Sequence, residues 1–145
     1  MVSARNFLTD EEKDLLVQTI RKVEAHTSSE IRIHFDDHCE QDVMDRAISV
    51  FYQLNMEKTI FRNGVLIYFA IKDKQFAVIG DEAIHQKVDA DYWKTISNEL
   101  HQNLRDGSPF QAIVKAVQHI GQTLAIYFPD IDKLNKNELS DEISF

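Results

Sequence analysis

The chain has 145 residues, of which 43% are hydrophobic and 28% charged, enough apolar material for one domain with a substantial core and too much for a disordered chain. Its 24 acidic and 16 basic residues leave a net charge of −8, and no Lys/Arg cluster provides the basic face that nucleic-acid phosphates require. Cations or basic surfaces are the partners such a charge favours.

The opening stretch Met1–Phe7 has no apolar signal core. Thr9 followed by Glu12 forms a capping-box pattern, and Leu16, Ile20 and Val23 then recur on one helical face. Glu30 to Phe35 alternates, with Ile31, Ile33 and Phe35 on one side and Arg32 and His34 on the other, as a strand does. After the acidic loop Asp36–Glu40, Asp42 caps a second helix marked by Val43, Ala47, Val50, Phe51 and Leu54. Val65 to Ile71 is continuously apolar, which predicts a central strand covered on both faces. That run is also far short of the roughly 20 residues a membrane helix needs.

A turn at 72–75 predicts a hairpin, with Phe76 to Ile79 as the returning strand and Gly80 as its end. A short helix is expected at Asp81. A longer one near Asp89 buries Trp93, Ile96, Leu100 and Leu104 and stops at Gly107. Ser108-Pro109-Phe110-Gln111 opens the last helix, whose apolar face carries Ile113, Val117, Ile120 and Leu124, and Pro129 closes it. Residues 129–145 are acidic, but Leu134, Leu139, Ile143 and Phe145 predict that this segment docks on the body, with its end as a short edge strand.

This order predicts a parallel crossover from the first strand to the second, then an antiparallel hairpin strand. The fold class is α/β, a three-layer α/β/α sandwich around a small mixed sheet, in one domain spanning 1–145. A single cysteine, Cys39, excludes an internal disulfide and suits a reducing compartment, so the chain is expected to be soluble and cytoplasmic.

Three blocks, Thr27-Ser28-Ser29-Glu30-Ile31-Arg32, Arg62-Asn63-Gly64-Val65-Leu66-Ile67-Tyr68 and Gly80-Asp81-Glu82-Ala83-Ile84, resemble the successive blocks of the TPM domain family. The ending Asn137 to Phe145 is similar to its short soluble bacterial branch. The resemblance implies the same α/β/α sandwich, frequent binding of calcium or other divalent cations, and an acid phosphatase activity. Arg62 departs from the pattern, since many members carry an acidic residue before the Asn-Gly pair.

The predicted topology gathers Asn63, Gly64, Gly80, Asp81 and Glu82 at one edge of the sheet. Asp81 and Glu82 offer the hard oxygens that calcium and magnesium prefer, while Asp81 could equally cap the helix that follows it. The tail adds Asp130, Asp132 and Glu138, which would serve as further ligands or stay solvated. The stretch from His34 to Cys39 holds zinc-type ligands without a second cluster to complete a site. No nucleophile motif is present, so no catalytic residue is assigned. The expected function is a calcium- or magnesium-binding accessory or interaction module with metal-ordered loops; the alternative is a metal-dependent phosphohydrolase.

Overall fold

Thr9 caps the first helix, α1 (Asp10–Glu24), as its spacing predicts. Its hydroxyl accepts from the Glu12 amide at 3.0 Å, and the Glu12 carboxylate accepts from the Thr9 amide at 2.9 Å. The chain continues through β1 (Ile31–Asp36), α2 (Val43–Gln53), a single 3-10 turn at Met56–Lys58, β2 (Val65–Ala70) and β3 (Gln75–Gly80). It ends with α3 (Glu82–His85), α4 (Ala90–Asp106), α5 (Pro109–Tyr127) and β4 (Ile143–Ser144). The structure is a computed structural model, and it describes residues 2–130 and 143–145. Asp42, Asp89 and Ser108 each cap the helix that follows, accepting from amides of its first turn.

The four strands lie in the order β3-β2-β1-β4. β1 and β2 are parallel, from Ile31 opposite Val65 to Asp36 opposite Ala70, with α2 in the crossover between them. β3 returns antiparallel to β2, placing Gly80 opposite Val65. The end of the chain does form an edge strand, but one of only two residues, Ile143 opposite Ile33 and Ser144 opposite His34.

The sheet separates two cores. Ile31, Ile33, Phe35, Val65, Ile67 and Phe69 face α1, α4 and α5, where they bury Leu16, Ile20, Ile96, Leu100, Ile113 and Ile120. Leu66, Tyr68 and Ala70 face the other way, onto Ala47, Val50 and Phe51 of α2 and onto Met56. This is the expected three-layer α/β/α sandwich with a mixed sheet. Trp93 and Phe110 pack against the main core, as their helical spacing indicates.

Gly121 lets α5 approach α1 closely, because a Cβ built there overlaps the side chain of Val23. Both helices are fixed by the sheet beneath them, so the overlap is not relieved by a simple side-chain move. Gly121→Ala is expected to destabilise the fold by about 1–3 kcal/mol despite the better helix propensity of alanine. Urea unfolding of the two proteins measures this; a stabilised variant would show that α1 and α5 separate freely.

Candidate functional site

The ends of β1, β2 and β3 meet as the topology predicts. The Val65 amide donates to the Glu30 carbonyl at 2.8 Å, and the Asp81 amide donates to the Gly64 carbonyl at 2.9 Å. Gly80 is needed here for space and not for an unusual backbone angle: a Cβ would lie 2.6 Å from the Trp93 ring.

Asp81 is nearly buried, and its carboxylate is fully engaged. Oδ1 accepts from the Glu82 amide at 2.7 Å, which makes Asp81 the cap of α3. Arg62 grips the same carboxylate with two bonds, Nε to Oδ2 at 2.8 Å and Nη2 to Oδ1 at 2.9 Å. A third guanidinium nitrogen, Nη1, lies 3.5 Å from Glu82 Oε1. The bidentate fork is the strong form of a charge-assisted pair, and the Asp81 bond raises the pKa of Arg62 further. Arg62 holds a left-handed φ of 53°, a conformation that costs a non-glycine residue about 1–2 kcal/mol.

The stretch around Pro129 lies at the same end of the sheet. Thr27 bridges Pro129, the Ser28 amide donates to the Phe128 carbonyl at 2.9 Å, and Asn63 Nδ2 donates to Ser28 Oγ at 3.1 Å. Asn63 is buried there, and among the described residues its Oδ1 has no hydrogen-bond partner. Asp132 and Glu138 lie outside the described residues. Among the described residues, no group of three or more His, Cys, Asp or Glu side chains is arranged to hold a metal. Asp81 and Glu82 alone, both beside Arg62, fall short of the six or more oxygens that calcium or magnesium takes.

Next to Asp81 lies an apolar surface that periodicity alone does not flag. Met44, Ile48 and Tyr52 recur every fourth residue on the outer side of α2, and with Ile60 and Phe61 they are 41–69% exposed. Met44, Ile48, Phe51, Tyr52 and Trp93 line a recess of about 340 Å³ that Asp81 also lines. The same α2 spacing that marks a buried face marks this exposed one, so sequence reasoning assigned only the first.

The opposite end of the sheet holds a polar cluster that was also missed. Asp36 accepts from Tyr68 OH at 2.7 Å and from Arg46 Nε at 3.0 Å, both at Oδ2, while His34 Nε2 lies 2.9 Å from Oδ1. His34 Nδ1 sits 2.8 Å from Ser144 Oγ, and its ring stacks on Tyr68. A neutral imidazole with its proton on Nε2 serves both contacts, donating to the carboxylate and accepting from the hydroxyl. Burial lowers the His34 pKa and outweighs the opposing pull of Asp36. Burial alone would raise Asp36, yet the bonds from Tyr68, Arg46 and His34 prevail and hold it below its usual value. Tyr68 is pushed upward by burial first and by Asp36 second. Arg46, in the first turn of α2, thus reaches back to the sheet. Nearby, Asp73 accepts from the Cys39 amide at 2.7 Å and pairs with His38 at 2.9 Å, tying the acidic loop to the hairpin turn.

A mixed sheet between two helical layers defines the class of domain, an α/β/α sandwich. The TPM domain profile matches residues 1–123, and the chain belongs to the TPM domain family. It is similar over nearly its whole length to a solved NMR structure, that of the BA42 protein from the psychrophilic bacterium Bizionia argentinensis. The two share 42% identity over 95% of this chain and 94% of that one, with a TM-score of 0.86. Comparison with curated proteins found no match. Among the described residues, no helix is long and apolar enough to cross a membrane.

The Asp36 cluster sets a pH dependence of stability. His34 binds a proton less readily folded than unfolded, so its contribution is complete above the free value of 6.5 and is lost as pH falls below it. Asp36 adds a second loss as pH falls below its free value of 3.8. The thermal midpoint is therefore expected to drop between pH 7 and pH 5, and His34→Gln should flatten that drop. An identical pH profile in the variant would remove His34 from the account.

Proposed function

We propose that this chain is a non-enzymatic interaction module that docks a partner on the apolar face of α2, and that calcium or magnesium orders the edge beside that face. One observation supports the reading above the others: the exposed stripe of Met44, Ile48 and Tyr52 shares its recess with Asp81. Contiguous exposed apolar surface marks interaction sites in soluble domains. A charge change at Asp81 would be felt directly at that surface.

The cation would draw its oxygens from Asp81, Glu82 and the acidic segment, with Asp130, Asp132 and Glu138 completing the shell. The bridge between Pro129 and Thr27 supports this, because it lies at the end of the sheet that carries Asp81. The net charge of −8 favours any added cation. The single cysteine favours action in the cytoplasm.

Arg62 makes this a competition, since the cation must displace a guanidinium already bound to both oxygens of Asp81. Titration of the isotopically labelled full chain with calcium and with magnesium, followed by NMR, tests the reading. Saturable shifts are expected at Arg62, Asp81 and Glu82, spreading to Met44 and Tyr52, and absent in Asp81→Asn. No shift at millimolar cation would overturn it. Arg62→Gln should tighten cation binding by about tenfold, equivalent to about 1.4 kcal/mol; unchanged affinity would place the cation elsewhere. Metal-dependent hydrolysis of a phosphomonoester, lost in Asp81→Asn, would replace this reading with a phosphohydrolase.

A further inference from the structure

A second recess, on the other face of the sheet and at the far end of the hairpin, has the chemistry of a small-molecule site. Its apolar lining includes Phe7, Phe69, Ile71, Phe76, Leu104 and Pro109, and its volume is about 320 Å³. Phe69 stands at the centre of an aromatic group, with ring centroids 6.2 Å from Phe7 and 6.0 Å from Phe76. A cavity of this size, mainly apolar with a few polar groups at one side, is the usual form of a small-ligand pocket.

The ionisable groups that line it are Lys74, His101 and Arg105, and no carboxylate is among the described lining residues. Lys74 and Arg105 are exposed, come from separate elements and, among the described residues, form no ion pair. The nearest acid in sequence to Lys74 is Asp73, which is committed to His38 and Cys39. In a chain with 24 acidic and 16 basic residues, a mouth whose described ionisable side chains are all basic stands out against the overall charge. Lys74 is held there by a left-handed φ of 54° at the hairpin turn.

We propose that this recess binds an amphipathic monoanion, a carboxylate with an aromatic or medium-length aliphatic body. The apolar body would lie on Phe69 and Phe76, and the anionic head would meet Lys74 and Arg105. The charge of the whole molecule repels anions, so affinity depends on those two side chains and falls as salt screens them. Lys74 and Arg105 at the mouth disfavour a cationic amphiphile of equal size.

Decanoate below its micelle concentration is the probe, with decylamine as the opposite-charge control, each titrated into the labelled full chain and followed by NMR. Decanoate is expected to give saturable shifts centred on Phe7, residues 69–76 and residues 101–109. Hexanoate should bind more weakly, by about fourfold for each methylene removed. Lys74→Glu combined with Arg105→Glu should weaken decanoate at least tenfold; both side chains are exposed, so the thermal midpoint should hold, and Arg105→Gln gives a milder version of the same loss. The proposal is overturned if millimolar decanoate gives no saturable shift. It is equally overturned if decylamine binds as tightly, or if the shifts centre on Met44, Ile48 and Tyr52. A failure to bind at this recess has no bearing on cation binding at Asp81, which lies at the other end of β3.

Discussion

A nearly buried carboxylate must have a positive or donating partner, and at Asp81 that partner is Arg62. This one ion pair organises the loop-rich end of the sheet. It ties the segment entering β2 to the segment leaving β3, it leaves Asp81 free to cap α3 with the same carboxylate, and it holds Glu82 within reach. The left-handed backbone of Arg62 is the cost of aiming a guanidinium back across the hairpin edge. Any cation acting at this edge does so against an internal cation already in place, which sets the terms of the proposed function.

The two ends of the sheet solve the same problem differently. β1 is central, with Ile31, Ile33 and Phe35 on one face and Glu30, Arg32 and His34 buried on the other. Burying a polar row is tolerable only when it is satisfied. At the end of the row, Asp36 collects a tyrosine hydroxyl, a guanidinium and an imidazole from three elements. That network also reaches β4 through Ser144, so the short C-terminal strand is joined to β1 by side chains as well as by its two-residue ladder. Neither end presents a preassembled metal shell among the described residues, while both recesses beside the hairpin carry apolar surface that the domain's own described residues leave uncovered.

Local rules made most of the architecture legible. Thr9, Asp42, Asp89 and Ser108 cap helices because their oxygens sit two or three residues ahead of orphan amides, a relation written directly in spacing. The two periodicities separate strands from helices, and the topology rule places Asp81 beside Gly64, where its amide donates to the Gly64 carbonyl. What spacing could not supply was pairing across distance. Arg62 and Asp81 are 19 residues apart, and their bond depends on a left-handed turn that no pattern in the sequence announces. Asp36 was read as part of an acidic loop because its partners Arg46 and Tyr68 come from a helix and a neighbouring strand. The outer stripe of α2 was hidden for another reason: periodicity reports that a face is apolar, but burial depends on what lies opposite. Asp132 and Glu138, two of the expected ligands, fall outside the described residues.

The central claim is that a divalent cation can replace Arg62 at Asp81. A crystal structure of the full chain grown in calcium, with anomalous differences recorded, examines it directly. The account predicts a peak about 2.3–2.6 Å from carboxylate oxygens of Asp81 or Glu82, with the Arg62 guanidinium moved away. No peak at that edge, with Arg62 still held by both oxygens of Asp81, would contradict it.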